Sequence, residues 1–270
     1  MALVDLHVAE LGALEEMARR DSSLRRIDPR AKLVTTLVFI LTVVSFGIYE
    51  LAALLPLLLY PVVLLSLGDL PTGYILRKVA LVSPFAILVG IFNPLLDHSP
   101  HLIVGDFHVS GGWISFASIL LRFVLTVSAA LILIASTGVH HLALALQRLG
   151  APSAFVMQLL FLYRYLFVLT QEALRTVRAI TLRSVDRKAM SMKTYAHFLG
   201  SLLLRTLDRA QRIHVAMRCR GYDGSVRLLN TLQFRAADAL FIALWCAYFL
   251  AIRFGNVPHR IGELVMGVFT

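Results

Sequence analysis

GWISFASILLRFVLTVSAALILIAST, residues 112–137, carries one charge, Arg122, in an otherwise apolar and small-residue run. A helix of about 20 mostly apolar residues crosses the roughly 30 Å of bilayer hydrocarbon, and this run exceeds that length. To either side, Lys32 to Tyr49, Leu51 to Leu67, Val79 to Leu96 and Ala236 to Ile252 read the same way or nearly so, which makes five spans. Pro56, Pro61, Pro84 and Pro94 fall inside the second and third. Each frees a backbone carbonyl that a neighbouring helix must satisfy, so the spans belong to a bundle.

Composition agrees. The 270 residues are 58% hydrophobic and only 16% charged, with mean hydropathy +0.77. A soluble chain carries about a quarter charged residues. The net charge of +10 raises nucleic acid as a partner, but no groove-reading motif is present and the basic residues flank apolar runs. Cys219 and Cys246 sit in different kinds of segment, one basic and one apolar, and predict neither a disulfide nor a zinc site. Met1 to Arg30 lacks the apolar core of a secretion signal, and its Leu11, Leu14 and Met17 predict a short amphipathic helix outside the first span.

The positive-inside rule orients the spans. Six basic residues from Arg19 to Lys32 precede the first, and Arg77 and Lys78 separate the second from the third. Asp97 to Gly111 has no Lys or Arg. The expected organisation is a cytoplasmic 1–31, spans one to four in 32–137, a cytoplasmic 138–235, a last span in 236–254 and a tail in 255–270. The fold class is an all-α, polytopic membrane bundle.

Two long helices are expected in 138–235. The first runs from Ala151 to Arg183, opening at Pro152 after Gly150. Ala154 to Leu169 is nearly all apolar; beyond it Ala173, Leu174, Val177 and Ile180 share a side while Arg175 and Arg178 face away. A sixth crossing here would spoil the charge alternation downstream, so the helix is read as lying against the cytoplasmic side. The second runs from about Lys193 to Arg220, with a stripe through Leu199, Leu202, Leu203, Thr206, Ala210, Ile213 and Met217. Arg205, Arg209 and Arg212 lie opposite, and Asp208 has i, i+4 spacing to Arg212. The basic face calls for an acidic or hydrogen-bonding partner, or for anionic lipid headgroups.

The two helices end alike. Leu182-Arg183-Ser184-Val185-Asp186 closes the first and Cys219-Arg220-Gly221-Tyr222-Asp223 the second. Spacing alone is accounted for by ordinary helix ends with a dipole-favoured cation. Paired Ala-Arg-Gly-like triplets on two cytoplasmic helices, however, resemble the T component of energy-coupling factor transporters. Leu182 and Cys219 replace the alanines, and Ser184 replaces the first glycine. Leu162-Tyr163-Arg164-Tyr165-Leu166-Phe167-Val168-Leu169 and Ala216-Met217-Arg218-Cys219-Arg220-Gly221-Tyr222-Asp223-Gly224 are similar to the cobalt branch, the CbiQ-like proteins. So is Arg26-Ile27-Asp28-Pro29-Arg30-Ala31-Lys32-Leu33, before the first span. The resemblance covers about residues 20–255.

That resemblance implies a chain without catalytic or cofactor chemistry, in a bacterial or archaeal inner membrane. Its implied partners are two cytosolic ATP-binding-cassette ATPases and a small membrane substrate-binding (S) component. Leu182, Arg183, Ser184, Asp186, Cys219, Arg220, Gly221 and Asp223 would dock the ATPases. Ala154 to Leu169 and the stripe Leu199 to Met217 would give the S component a sliding surface. Cobalt uptake is the expected role, with nickel or a vitamin as alternatives.

Other polar groups carry weaker readings. Asp97, His98, His101, Asp106 and His108 in the outside loop are of metal-binding type, yet equally ordinary solvated sequence. His140-His141 has no carboxylate or thiol at ligand spacing, and His197 and His214 need only packing or solvation. Arg122 and Asp238, costly in hydrocarbon, are expected to pair across the fourth and fifth spans or to snorkel. No nucleophile–base pair, paired carboxylates or phosphate loop points to an enzyme. A stand-alone channel or secondary transporter would show polar spans and internal repeats, which this sequence lacks.

Overall fold

The computed structural model describes residues 12, 16–18, 22–96, 100–104, 107–183, 191–222, 224 and 234–255, without the side chains of 95–110 or of Ser23. Contacts divide the chain into two units. One is Leu14–Ala145 with Leu232–Thr270; the other is Met1–Ala13 with Leu146–Thr231.

The first unit is the membrane bundle. It contains α1 (Pro29–Ser45), α2 (Leu51–Leu54), a 3-10 turn (Pro56–Leu58), α3 (Leu59–Leu67), α4 (Thr72–Gly90), α5 (Phe92–Leu96) and α6 (Gly111–Thr137). α7 (Val139–Arg148) leads out of it and α10 (Ala236–Phe254) closes it. The stretch expected only as an outside loop holds a small antiparallel hairpin, β1 (Pro100–Val104) with β2 (Phe107–Ser110), pairing Ile103 with His108. Of the expected amphipathic N-terminal helix, Leu11 and Leu14 lie outside the described residues, while Met17 is helical and buried.

Three expected spans are helices long and apolar enough to cross a membrane: Thr72–Pro94, Gly111–Thr137 and Ala236–Phe254. The other two are shorter. α1 has 17 residues and stops at Ser45, because Phe46 turns extended, with φ −72° and ψ 153°. Leu51–Leu67 is broken around Pro56, whose missing N–H interrupts the helical ladder. A neighbouring helix reaches the chain at Pro56, whereas the carbonyl freed by Pro84 is met from within its own helix. Tyr248 Oη on α10 donates to the Pro56 carbonyl at 2.8 Å, and Ser83 Oγ donates at 2.8 Å to Ala80, the carbonyl that Pro84 leaves without its helical donor.

Cross-helix contacts fix the chain directions. Lys32 Nζ donates to the Ser136 carbonyl at 3.3 Å at one end, and Arg122 donates to the carbonyls of Phe46 and Gly47 at the other. α1 and α6 are therefore antiparallel. Asp28 meets Asp238 and Ser45 meets Arg253, so α1 and α10 are parallel. Pro56 with Tyr248 and Tyr60 with Trp245 set α2–α3 antiparallel to α10. At its far end α4 lies so close to α6 that a Cβ on Gly90 would sit 2.9 Å from Phe116 Cδ2. Glycine permits that approach.

An aromatic cluster forms the core. Phe39, Tyr60 and Phe249 are almost wholly buried, with Phe39 stacked on Tyr60 at 4.5 Å and Trp245 edge-on to Tyr60 at 4.8 Å. Such pairs add about 0.5–1.5 kcal/mol each beyond area burial. The Tyr60 hydroxyl shares a 2.8 Å hydrogen bond with Thr36, so its polar tip is not stranded. Leu41, Val44, Leu81, Phe85 and Leu88 face outward, as lipid-facing side chains do.

The expected pairing of Arg122 with Asp238 does not form. Each charge instead satisfies a helix end, where backbone groups lack intrahelical partners. Arg122 binds the carbonyls after α1. Asp238 is buried at the start of α10, accepting the Arg235 N–H and the Asp28 N–H, both at 2.8 Å. Asp28 in turn N-caps α1, taking the Arg30 N–H at 2.8 Å with Pro29 in the first turn. The Arg26–Leu33 motif thus acts as a buried anchor.

Candidate functional site

The second unit is built on α8 (Ser153–Arg183) and α9 (Met192–Cys219). A glycine turn aims α8. Gly150, at φ +106°, donates to Gln147 O at 3.1 Å while Ala151 donates to Leu146 O at 3.0 Å, the crossed bonds of a Schellman ending. Pro152 follows, and its carbonyl accepts Phe155 N–H at 3.0 Å and Val156 N–H at 3.2 Å, so α8 starts one residue beyond the expected proline. At the start of α9, Ser191 Oγ accepts the Thr194 N–H at 3.2 Å.

α9 ends by the same device. Tyr222 N–H bonds Met217 O at 3.1 Å and Gly221 N–H bonds Arg218 O at 3.0 Å, with Gly221 at φ +78°. A Cβ at Gly221 would touch nothing within 4 Å. The glycine is needed for its left-handed backbone, which costs other residues about 1–2 kcal/mol. This ending fixes Arg220 as the exposed last residue before the turn. Arg183, the last residue of α8, is exposed, as are Leu182 and Cys219. Ser184, Asp186 and Asp223 lie outside the described residues. Among those described, the likeness of the two ends rests on Arg183 and Arg220. Cys219 and Cys246 are both free.

The two apolar stretches come together. Phe161, Tyr165 and Leu169 of α8 face Ala210, Ile213 and Met217 of α9 across a groove of about 610 Å³. Thr206 joins that wall, whereas Leu199 and Leu203, earlier on the stripe, are exposed. Tyr222, held by the Schellman turn, closes one end of the groove.

The residue that sequence reasoning passed over is Glu172. It binds Arg209 Nη1 at 3.1 Å and approaches Arg205 Nη1 at 3.9 Å, tying α8 to α9. It is the lone acidic residue between Ala151 and Arg183, and that isolation was the available signal. No Asp208–Arg212 ion pair forms among the described residues; the basic face of α9 is engaged from the neighbouring helix instead.

Asp97, His98 and Asp106 lie outside the described residues; His101 and His108 sit on β1 and β2. Among the described residues no group of three or more His, Cys, Asp or Glu is placed to hold a metal. His141 stands beside His140 on α7, and desolvation, then that neighbour, pushes its imidazole below the usual range.

The family model described as cobalt transport protein, CbiQ, matches residues 20–231. The chain belongs to that family. Among the relatives of this CbiQ-family chain, the energy-coupling factor transporter transmembrane protein EcfT of Bacillus subtilis is 27% identical, covering 75% of the chain and 82% of its own length. EcfT of Lactococcus lactis is 25% identical over 82% and 89%. The cobalt transport protein CbiQ of Rhodobacter capsulatus is 30% identical over 40% and 44%. The CbiQ-family chain is thus the T component of an energy-coupling factor transporter, a multi-pass membrane protein of a transport system.

Proposed function

We propose that this T component carries the motion of two cytosolic ATP-binding-cassette ATPases to a small substrate-binding membrane subunit, in an importer of cobalt ions. The observation that carries this reading is the pair of long helices with an exposed arginine at each end, Arg183 as the last residue of α8 and Arg220 at the C-cap of α9. A guanidinium at a helix end offers a planar fork of donors to acidic side chains or carbonyls of a partner. Two such ends suit two ATPases. The apolar groove between the same helices would seat the substrate-binding subunit, so both contacts ride on one pair of levers.

Chain parity supports the cytoplasmic reading of 138–235. α1 runs one way, α2–α3 back, α4 forward, α6 back and α10 forward, so α6 ends on the side where α10 begins. The segment between them crosses an even number of times. α8 has the length and apolarity for a crossing, but α9 carries Lys193, Arg205, Asp208, Arg209, Arg212 and Arg218. No crossing is the even count that buries no charge in hydrocarbon. The basic flanks orient that side to the cytoplasm of a bacterial or archaeal inner membrane.

Cobalt is favoured by the family description and by the name of the R. capsulatus relative. Nickel or a vitamin is the second reading, because the EcfT relatives carry no metal in their names. The test is Arg220→Glu, Arg183→Glu and the double substitution, scored by recovery of the ATPases with the tagged chain and by radiolabelled cobalt uptake. Loss of a desolvated charged contact costs about 2–5 kcal/mol, so Arg220→Glu impairs assembly, Arg183→Glu does so less, and the double abolishes it. Normal uptake in the double variant defeats the proposal.

A further inference from the structure

α8 and α9 enclose a second groove, of about 570 Å³, beyond the crossing made by Glu172. Arg175, Arg183, Arg205 and Arg209 line it against a single carboxylate, Glu172. That carboxylate is occupied by Arg209 at 3.1 Å and Arg205 at 3.9 Å. Setting aside Arg183, which the coupling role gives to an ATPase, three positive charges less one negative leave two positive charges around one concavity. Water and salt screen these solvent-accessible guanidinium groups, but together they favour an anion in the groove. Phosphate is the anion whose oxygens their planar forks match in pairs.

The rest of the lining narrows the source. Val168, Ala179 and Ile180 give the groove an apolar wall beside the arginines. A free phosphate ion would leave that wall unused and most of the volume empty, since spaces of about 300–1,000 Å³ accommodate much larger ligands. A nucleotide would need a surface for its base, and no aromatic ring is among the described lining residues. An amphiphile uses both halves, with phosphate on the guanidinium groups and hydrocarbon along the aliphatic side chains. We propose that this groove holds the phosphate-bearing headgroup of an anionic membrane phospholipid, bridging α8 and α9 beside the Glu172 clamp. The groove then responds to the composition of the membrane around the transporter, a property separate from docking at Arg220.

The test uses the chain purified in detergent with its co-purifying subunits. Phosphatidylglycerol or phosphatidylcholine is titrated in, and native mass spectrometry counts bound lipid. Wild-type protein retains phosphatidylglycerol in preference to phosphatidylcholine. Arg175→Gln with Arg205→Gln weakens phosphatidylglycerol binding roughly thirtyfold, from the attraction of a membrane-surface guanidinium to anionic lipid taken over two sites. Arg175→Lys with Arg205→Lys keeps the preference, which separates charge from misfolding. Equal retention of the two lipids, or unchanged phosphatidylglycerol binding in the glutamine variant, overturns the proposal. Displacement of the lipid by an equal concentration of inorganic phosphate at fixed ionic strength overturns it too, since the site would then prefer the free ion. Arg183 and Arg220 stay intact throughout, so failure here and failure of the coupling role are distinguishable.

Discussion

Replacing Asp238 with alanine tests whether this buried carboxylate is the clasp joining α1 to α10. It removes the acceptor of two backbone N–H groups, from Asp28 and Arg235, each at 2.8 Å. The Asp28 bond is buried, and no water replaces it at low cost. Hydrogen bonds to a charged group contribute about 1.5–3 kcal/mol each, and the partner left behind adds its own desolvation penalty. Lys32, 4% exposed, also loses a nearby opposite charge. Discounting the part-exposed Arg235 bond, the loss comes to about 3–5 kcal/mol, the range for breaking a buried pair. At roughly 2–4 °C per kcal/mol for a chain of this size, the melting temperature falls by roughly 10 °C. Trp245, on α10 in the aromatic core, reports the transition by fluorescence in detergent. Asp238→Asn keeps one acceptor oxygen and loses about half as much. A melting temperature of Asp238→Ala within about 3 °C of wild type refutes the reasoning.

Three further outcomes are expected. Gly90→Ala drives a methyl toward Phe116 Cδ2 at 2.9 Å and costs about 1–3 kcal/mol; adding Phe116→Ala relieves most of that penalty, so strict additivity in thermal melts contradicts the close-approach argument. Gly221→Val strains a residue held at φ +78°. Hydrogen exchange quickens at 217–222 and ATPase recovery falls, whereas the Trp245 melt stays put; a lowered melt with an unchanged α9 end argues the reverse. Arg122→Met strands the Phe46 carbonyl and leaves the exposed Gly47 carbonyl to solvent, lowering stability by about 1–2 kcal/mol, while a neutral result removes Arg122 as the cap of α1.

The sequence makes the membrane class and the two long helices plain because both rest on local signals. Length of apolar run defines a span, and Gly150-Ala151-Pro152 and Cys219-Arg220-Gly221 mark ends whose geometry is set within five residues. Gly221 adopts the left-handed turn its position calls for. The stripe that ends at Ile213 and Met217 meets the apolar half of α8, and both were legible as apolar runs. What stays hidden is non-local. The shortness of α1 depends on Phe46 turning extended where Arg122, far along the chain, receives the carbonyls. Likewise Glu172 reads as one charge among many until α9 brings Arg209 against it. The pairing expected between Arg122 and Asp238 fails for the same reason. Unsatisfied helix ends compete for both charges, and those ends are invisible until the helices are placed.

That competition bears on what the membrane unit can do. A path for an ion through a bundle needs polar side chains free to exchange partners with the cargo as it passes. Among the described residues the charged side chains buried in the unit are Asp28, Lys32 and Asp238, and each is bound to backbone. Asp28 caps α1, Asp238 holds the Asp28 and Arg235 N–H groups, and Lys32 donates to the Ser136 carbonyl. Arg122, partly buried, gives its Nη2 to the carbonyls at the end of α1, while its Nε is buried without a hydrogen-bond partner among the described residues. All four fasten helix ends, and giving up any of these bonds to an ion would loosen the bundle by the amounts estimated for Asp238. A unit whose buried charges are committed to its own frame makes a stiff support for moving helices and a poor conduit. This agrees with the proposed division in which the α8–α9 pair would move, the bundle hold, and the cargo pass through a partner.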